Sequence, residues 1–370
     1  MAPAPFRIAA ARTRHFEKPI ERKVETAFGV MPSRHALILE VEDGDGRTGL
    51  GESWVNFPWW AAYEREVAFE RAFLPWLRGR EVESPTACAH AMFRAFAGPA
   101  AQSGTTGPLL SALAAVECAL ADLAAQRENK PLHRRLFADS ADEVEVYASG
   151  INAPLPFDLV DEHLAMGVTL FKLKLGFGDA ADRANLDALR RRLPDSARLA
   201  VDANRGWTYE QALGWLDVLA DYRVEWLEEP LRAEEEPRLA ALVALGKVPI
   251  AMGENAMMPP GASAAELARL PGNVLQPDVT KYASLSAAVS LIDEAARAGK
   301  RVVPHMLGSA PGLAASLHLA AGCPDALCEL DINPNPLRTD LCDPPFDIRD
   351  GRIRLPDAPG LGWRLRREGP

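Results

Sequence analysis

The chain has 370 residues, room for one large domain and a smaller one, and its 48% apolar and 25% charged residues are ordinary for a globular protein. A net charge of −10 with no basic stripe argues against nucleic acid as a partner, and no run approaches the ~20 apolar residues that a bilayer span requires, so no membrane is expected either. Five scattered cysteines (Cys88, Cys118, Cys323, Cys328, Cys342) form no metal-type spacing and read as thiols of a reducing compartment; with no apolar core for a signal peptide in Met1–Arg14, a cytoplasmic location is expected.

In chain order, residues 5 to about 55 alternate as strands do. Ala36–Val41 followed by Asp43–Gly49 predicts strand, turn, strand. A polar loop is expected at His15–Arg34 and a second, aromatic loop at Glu52–Trp60. Helical periodicity runs from about Ala61 to Phe137. From Val144 the texture becomes strand–helix alternation. The strand candidates are Val144–Ala148, Leu170–Leu175, Arg198–Val201, Val224–Leu227, Pro249–Met252, Val274–Pro277, Arg301–Pro304 and Ala326–Leu330. Eight strands with intervening helices predict an α/β parallel barrel. A doubly wound open sheet is the alternative, but it would gather its ligand site at one switch point, whereas chemistry-bearing residues end almost every strand here. The organisation expected is an α+β unit over 1–140, a barrel over 141–340, and a segment, 341–370, whose strands near Ile353–Leu355 and Trp363–Leu365 return to the first unit.

Three strand ends carry acids at equal spacing. Val-Asp202-Ala-Asn204, Leu-Glu228-Glu229-Pro and Gly-Glu254-Asn255 recur every 26 residues, about the length of one βα unit. Carboxylates at the C-terminal ends of successive barrel strands point at one place, and three oxygen donors without His or Cys suit a hard cation such as Mg²⁺. Solvated loop acids are the bland reading, disfavoured by the repeated spacing. In Phe-Lys172-Leu-Lys174, alternation puts both lysines on one face, which must be the barrel interior near its mouth. A neighbouring ammonium and a metal would lower a lysine's pKa toward neutrality and make it a base; an edge strand with both lysines in water is the plain alternative. The sixth strand ends in Gln-Pro-Asp278, the seventh in Pro-His305 and the eighth in Cys-Glu329. An Asp on one ring nitrogen fixes a histidine's tautomer and raises the basicity of the other nitrogen, so Asp278 and His305 can form a dyad, with Lys174 facing them across the barrel. Glu329 could serve as a hydrogen-bond donor or acceptor.

Taken together, Lys-x-Lys, Val-Asp-Ala-Asn, Glu-Glu-Pro, Gly-Glu-Asn, Gln-Pro-Asp and Pro-His resemble the enolase superfamily, and within it the mandelate racemase subgroup. The resemblance covers about 144–332, more weakly the N-terminal unit. It implies a modified TIM barrel, (β/α)7β, with an α+β N-terminal capping domain completed by the C-terminal segment, an essential Mg²⁺, and abstraction of a proton α to a carboxylate. By position it implies Asp202, Glu228 and Glu254 as metal ligands, Lys174 as a base with Lys172 beside it, Asp278–His305 as the opposing dyad, Glu329 as an electrophilic acid, and Asn204 as an accessory polar group. Lys281 matches too, but Tyr282-Ala283-Ser284 departs from the subgroup's usual pattern and changes the adjacent wall. The expected reaction is dehydration of a sugar acid to a 2-keto-3-deoxy acid. Racemisation or epimerisation of a 2-hydroxy acid is the alternative, and a noncatalytic metal-binding barrel the reading from another class. The expected partner is a small carboxylate, and the resemblance suggests a homo-oligomer. Specificity is expected in the two loops, with Arg14, Arg22, Lys23 and Arg34 available for the distal end of the substrate and Trp54, Phe57, Trp59 and Trp60 as packing or lid.

Overall fold

Strand alternation at the N-terminus runs further than expected. In the computed structural model, which describes residues 5–26, 29–267 and 269–366, the strands Phe6–Thr26 and Gly29–Asp43 pair antiparallel from Ile8↔Asp43 out to Thr26↔Gly29. The stretch His15–Arg34 is therefore a β ribbon and not a loop. The third strand, Thr48–Ser53, pairs only with Leu37–Glu42, so the rest of the hairpin stands beyond the sheet body. It needs few apolar side chains there, and its polar composition hid it. Val24, Met31 and Arg34 are buried points along it among the described residues.

The helix Thr106–Arg127 lies directly on this sheet. Gly49 and Gly51 permit the approach, since a Cβ there would meet Ala119 O at 2.1 Å and Ala115 O at 1.9 Å. This helix is long and apolar enough to cross a membrane, contrary to the expectation from the sequence, but 94% of its apolar window is buried against the sheet and its neighbours.

The eight barrel strands are Glu143–Ile151, Leu170–Lys174, Arg198–Asp202, Leu227–Glu228, Ile250–Met252, Val274–Leu275, Arg301–Val302 and Leu327–Asp331. Seven of them pair in parallel sequence order, and the eighth returns to the first in the register Leu327↔Glu145 to Asp331↔Ser149. The seam between the seventh and eighth is bridged where Glu329 N donates to Pro304 O at 3.4 Å. Closure is also visible in the packing. Tyr147, Leu170, Ala200, Trp226, Ala251, Val274, Val303 and Leu327 supply one side chain from each strand region to a single buried cluster inside the barrel. Two residues further along, where alternation returns the side chain to the interior, stand Ser149, Lys172, Asp202, Glu228, Gly253, Gln276, His305 and Glu329. An apolar plug thus floors a polar layer at the mouth.

In the C-terminal segment, Arg352–Arg354 adds antiparallel to the first barrel strand and Arg364–Leu365 pairs with Cys342–Asp343. The contact with the first unit is made by Gly360 and Leu361: Leu132 N donates to Gly360 O at 2.7 Å, and Leu361 N donates to Asp122 Oδ1 at 2.8 Å.

Buried polar ties lock the cap sheet onto the barrel. Glu52, at the end of the third strand, accepts from Ser309 N (2.8 Å), Ser309 Oγ (2.6 Å) and Gly312 N (2.9 Å) at the N-terminus of the helix Ala310–Ala320. Anionic charge is favoured there, although burial pushes the Glu52 carboxyl up to about 6. Arg34, 1% exposed, ion-pairs with Asp331 of the eighth strand at 2.5 Å and donates to Pro334 O at 3.2 Å. Burial raises the Asp331 carboxyl, but Arg34 and Arg338 outweigh it, and the group titrates below the ordinary aspartate range.

Two outcomes follow from this pair. Arg34→Met strands Asp331 as a buried charge and should lower unfolding stability by about 3 kcal/mol in denaturant titrations. Because the folded-state pKa of Asp331 is depressed, its contribution is present above the unfolded aspartate value of about 4 and is lost as pH falls through the folded value. Wild type should therefore lose more stability than Arg34→Met on acidification below that point.

Candidate active site

The polar layer is a network of buried charges. Lys172, with no solvent exposure, donates to Glu228 Oε1 at 2.6 Å and Oε2 at 2.8 Å and ion-pairs with Glu329 Oε1 at 2.8 Å. Glu228 also accepts from Gln276 Nε2 at 2.7 Å and Trp226 Nε1 at 3.2 Å. Lys174, one alternation nearer the mouth, donates to Asp202 Oδ2 at 2.5 Å. Asp202 further accepts from Asn204 N at 2.7 Å and Asn204 Nδ2 at 3.1 Å. Register places Asp202 beside Glu228 on adjacent strands.

The opposite side is built the same way. Asp278 accepts from Thr280 N (2.8 Å) and Thr280 Oγ1 (2.6 Å) with one oxygen and from His305 Nδ1 (2.7 Å) with the other. This fixes Nδ1–H as the donor and turns Nε2 to the interior, 2.6 Å from Glu254 Oε2 and 3.8 Å from Glu329 Oε2. Glu329 accepts from Ser149 Oγ and from Met306 N. Lys281 donates to Asn255 Oδ1 at 2.8 Å and lies 4.6 Å over the Trp54 ring, with Glu254 at 3.8 Å. Glu229 is engaged by Asn255 N and Nδ2, at 3.3 and 2.6 Å.

Burial opposes every charge in this layer. It works against the Lys172 ammonium, but Glu228, Glu329, Tyr147 and Asp202 outweigh it and hold that lysine well above the ordinary range; Lys174 is likewise raised, burial being overcome by Asp202. The expectation of a lysine lowered toward neutrality is thus not met by the protein's own groups, because each ammonium faces more carboxylate than ammonium. His305 is raised well above 6.5, with burial outweighed by Glu254, Glu329 and Asp278. Glu228 is pushed up to about 8 by burial against Lys172, and Glu229 to about 7 by burial and Glu254. Glu329 is held low by Lys172 and His305 despite its burial, and as placed it accepts hydrogen bonds from Ser149 Oγ and Met306 N.

Among the described residues, no three His, Cys, Asp or Glu side chains are gathered into a ready-made ion site. Asp202, Glu228 and Glu254 are turned onto Lys174, Lys172 and His305 instead. Their donor set nevertheless fits a hard divalent cation in chemistry. All three offer carboxylate oxygens, and the layer holds the six carboxylates Asp202, Glu228, Glu229, Glu254, Asp278 and Glu329 against Lys172, Lys174, Lys281 and His305. Asn204 Oδ1 is buried at the same place with no hydrogen-bond partner among the described residues.

Lys174, Glu254 and His305 border a cavity of about 600 Å³, whose walls include Trp54, Phe57, Asn204, Lys281 and Tyr282. The aromatic loop divides: Trp54 and Phe57 face this cavity, whereas Trp59 and Trp60 are exposed. A smaller cavity under the ribbon is lined by Val24, Lys174, His305, Glu329 and Asp331. The basic residues expected to meet the substrate's distal end are placed elsewhere. Arg22 forms a bidentate, exposed pair with Asp158 at 3.1 and 3.2 Å, Arg14 lies 3.4 Å from Glu40, and Arg34 is the buried tie to Asp331. Each found a carboxylate on a neighbouring element. The Lys23 side chain lies outside the described residues. Arg205 and Arg232, which the sequence reading passed over, line the cavity; the signal for them was their position just after Val-Asp-Ala-Asn and Glu-Glu-Pro.

Comparison with known proteins agrees with this geometry. Residues 158–369 match the enolase C-terminal domain-like family, and residues 9–136 the mandelate racemase / muconate lactonizing enzyme N-terminal domain. The chain is 28% identical to D-galactarolactone cycloisomerase of Agrobacterium fabrum, over 98% of this chain and 97% of that one. It is 36% identical to a mandelate racemase/muconate lactonizing enzyme from Bordetella bronchiseptica, covering 98% of both chains at a TM-score of 0.85. A racemase from Streptomyces coelicolor with bound magnesium is 26% identical over 97% of both chains at a TM-score of 0.84. Other curated relatives are acid-sugar dehydratases, cycloisomerases and an epimerase, and enolase-superfamily sites use Mg²⁺ to stabilise an ene-diolate. With both halves matched and the barrel closed under a cap, the chain belongs to the enolase superfamily, in its mandelate racemase subgroup.

Proposed function

We propose that the protein abstracts the proton α to the carboxylate of a sugar acid and expels the β-hydroxyl, giving a 2-keto-3-deoxy acid, with Mg²⁺ as its metal. The observation that carries this reading is that Lys174 and His305, from the second and seventh strands, border one cavity, with Asp278 on His305 Nδ1 at 2.7 Å.

Asp202, Glu228 and Glu254 are the residues that would hold the ion. When bound, the ion supplies positive charge against the substrate carboxylate and so acidifies the α carbon. Lys172, buried among Glu228 and Glu329, stays an ammonium and adds fixed positive charge nearby. Lys174, once neutral, takes the α proton on Nζ; what it must shed first is the attraction of Asp202, which holds its proton in the arrangement described. His305, in its protonated form and held through Nδ1–H on Asp278, gives the Nε2 proton to the departing β-hydroxyl, which leaves as water. Asp278 keeps Nδ1–H in place throughout. The resulting enol tautomerises to the keto acid. Racemisation or epimerisation is the second reading, favoured by the same pair of proton carriers at one cavity: return of a proton to the α carbon from the other group would invert it.

Two measurements test this. Saturating Mg²⁺, at one hundred times its Kd, should stabilise the fold by about 2.7 kcal/mol, an effect lost in Asp202→Asn and Glu254→Gln; no stabilisation in wild type would remove these residues as ligands. Purified protein with Mg²⁺ should form 2-keto acid from members of a panel of aldonic and aldaric acids, and lose that activity by at least about a hundredfold in Lys174→Ala and His305→Asn. Solvent deuterium entering recovered substrate without keto acid would establish the racemase or epimerase reading instead.

A further inference from the structure

Two arginines flank the mouth of the cavity on loops that the fold makes stiff. Beyond the third and fourth barrel strands the chains continue to pair. Arg205 N donates to Glu229 O at 2.7 Å, Trp207 N to Pro230 O at 3.1 Å and Arg232 N to Trp207 O at 2.9 Å, with a parallel bridge at Trp207↔Leu231. Trp207 is buried and stacks on Trp215 at 5.4 Å and 14°. The backbone of both arginines is therefore anchored to the barrel. Arg205 donates to Glu236 at 2.7 Å. Arg232 donates through Nε to Gly206 O at 3.3 Å, which orients its fork, and its guanidinium has no carboxylate partner among the described residues. It is exposed and borders the cavity that also holds Lys174 and His305. Glu234 stands on the same wall, so net charge does not select the ligand; the directed fork does.

We infer that Arg232, supported by Arg205, binds a second carboxylate at the end of the substrate remote from the metal, so that the preferred substrates are dicarboxylates, aldaric and not aldonic acids. This deepens the proposed function and rests on it for the orientation of the substrate. A guanidinium oriented by its own Nε hydrogen bond on an anchored backbone loses little freedom when it binds a planar carboxylate, and a terminal hydroxymethyl group cannot accept the fork in the same way. The cavity of about 600 Å³ has room for an extended acid between Lys174 and Arg232.

The test separates binding from turnover. Calorimetry with Mg²⁺ in a Lys174→Ala background, where the ligand is not consumed, should give at least about tenfold tighter binding of D-galactarate than of D-galactonate. That ratio should fall to near one on adding Arg232→Gln and recover in part with Arg232→Lys. Equal affinities, failure of galactarate to bind, or a ratio unmoved by Arg232→Gln overturns the inference. A preference that persists while wild type produces no keto acid from either compound leaves the inference standing and removes the dehydration instead.

Discussion

Everything at the barrel mouth depends on keeping a set of charges out of water. Removing one ionised side chain from solvent costs several kcal/mol, which opposite charges recover only when geometry and hydrogen bonds are nearly complete. The layer meets that demand residue by residue. Glu228 takes hydrogen bonds from Lys172, Gln276 and Trp226, and Asp278 takes them from Thr280 and His305. The floor beneath is the plug from Tyr147 to Leu327, one side chain per strand region, which excludes water from below. Dry surroundings strengthen every interaction above it. The carboxylates around Lys172, Lys174 and His305 outweigh the burial of these three groups and raise each of them.

The cap completes what the strand ends begin, and its position is held by similar physics. Glu52 meets the N-terminus of the helix Ala310–Ala320, and Arg34 meets Asp331. Between these ties, Trp54 N donates to Thr280 O at 2.8 Å and Asn56 Nδ2 to Leu307 O at 2.5 Å. Thr280 also hydrogen-bonds Asp278, so the strand end that orients His305 also carries the aromatic wall of the cavity. Displacing the cap would alter the wall and the dyad's support together, through the hydrogen bond from Trp54 to Thr280 and those from Thr280 to Asp278.

Much of this was legible in the sequence where local pattern and function coincide. The barrel strands are short, largely apolar runs that end in or lead into polar residues, so Lys172, Asp202, Glu228, His305 and Glu329 could be placed together at one barrel mouth. What escaped detection depends on distant partners. Arg34 reads as a surface arginine until Asp331, 297 residues away, arrives beside it. The ribbon His15–Arg34 lacks apolar alternation because most of it has no sheet beneath to bury against. The direction in which Lys174 titrates depends on the balance of carboxylates and ammonium groups around it, which spacing does not reveal. Arg205 and Arg232 follow the recognisable motifs but sit in loops whose pairing, Trp207↔Leu231, has no sequence period.

A barrel kept only as a scaffold would not be built this way. Replacing a buried ion network with well-packed apolar side chains is often neutral or stabilising, so folding alone does not call for these charges. The layer instead retains Lys172 with no solvent exposure, Glu228 pushed to about 8, and two neighbouring polar atoms, Asn204 Oδ1 and Gln276 Oε1, buried without partners among the described residues. Each is an expense to stability that the apolar plug two residues below avoids on the same strands. Stability and chemistry are thus separated by one step of strand alternation: the lower layer holds the barrel together, and the upper layer is tolerated because of what it can do to a bound acid.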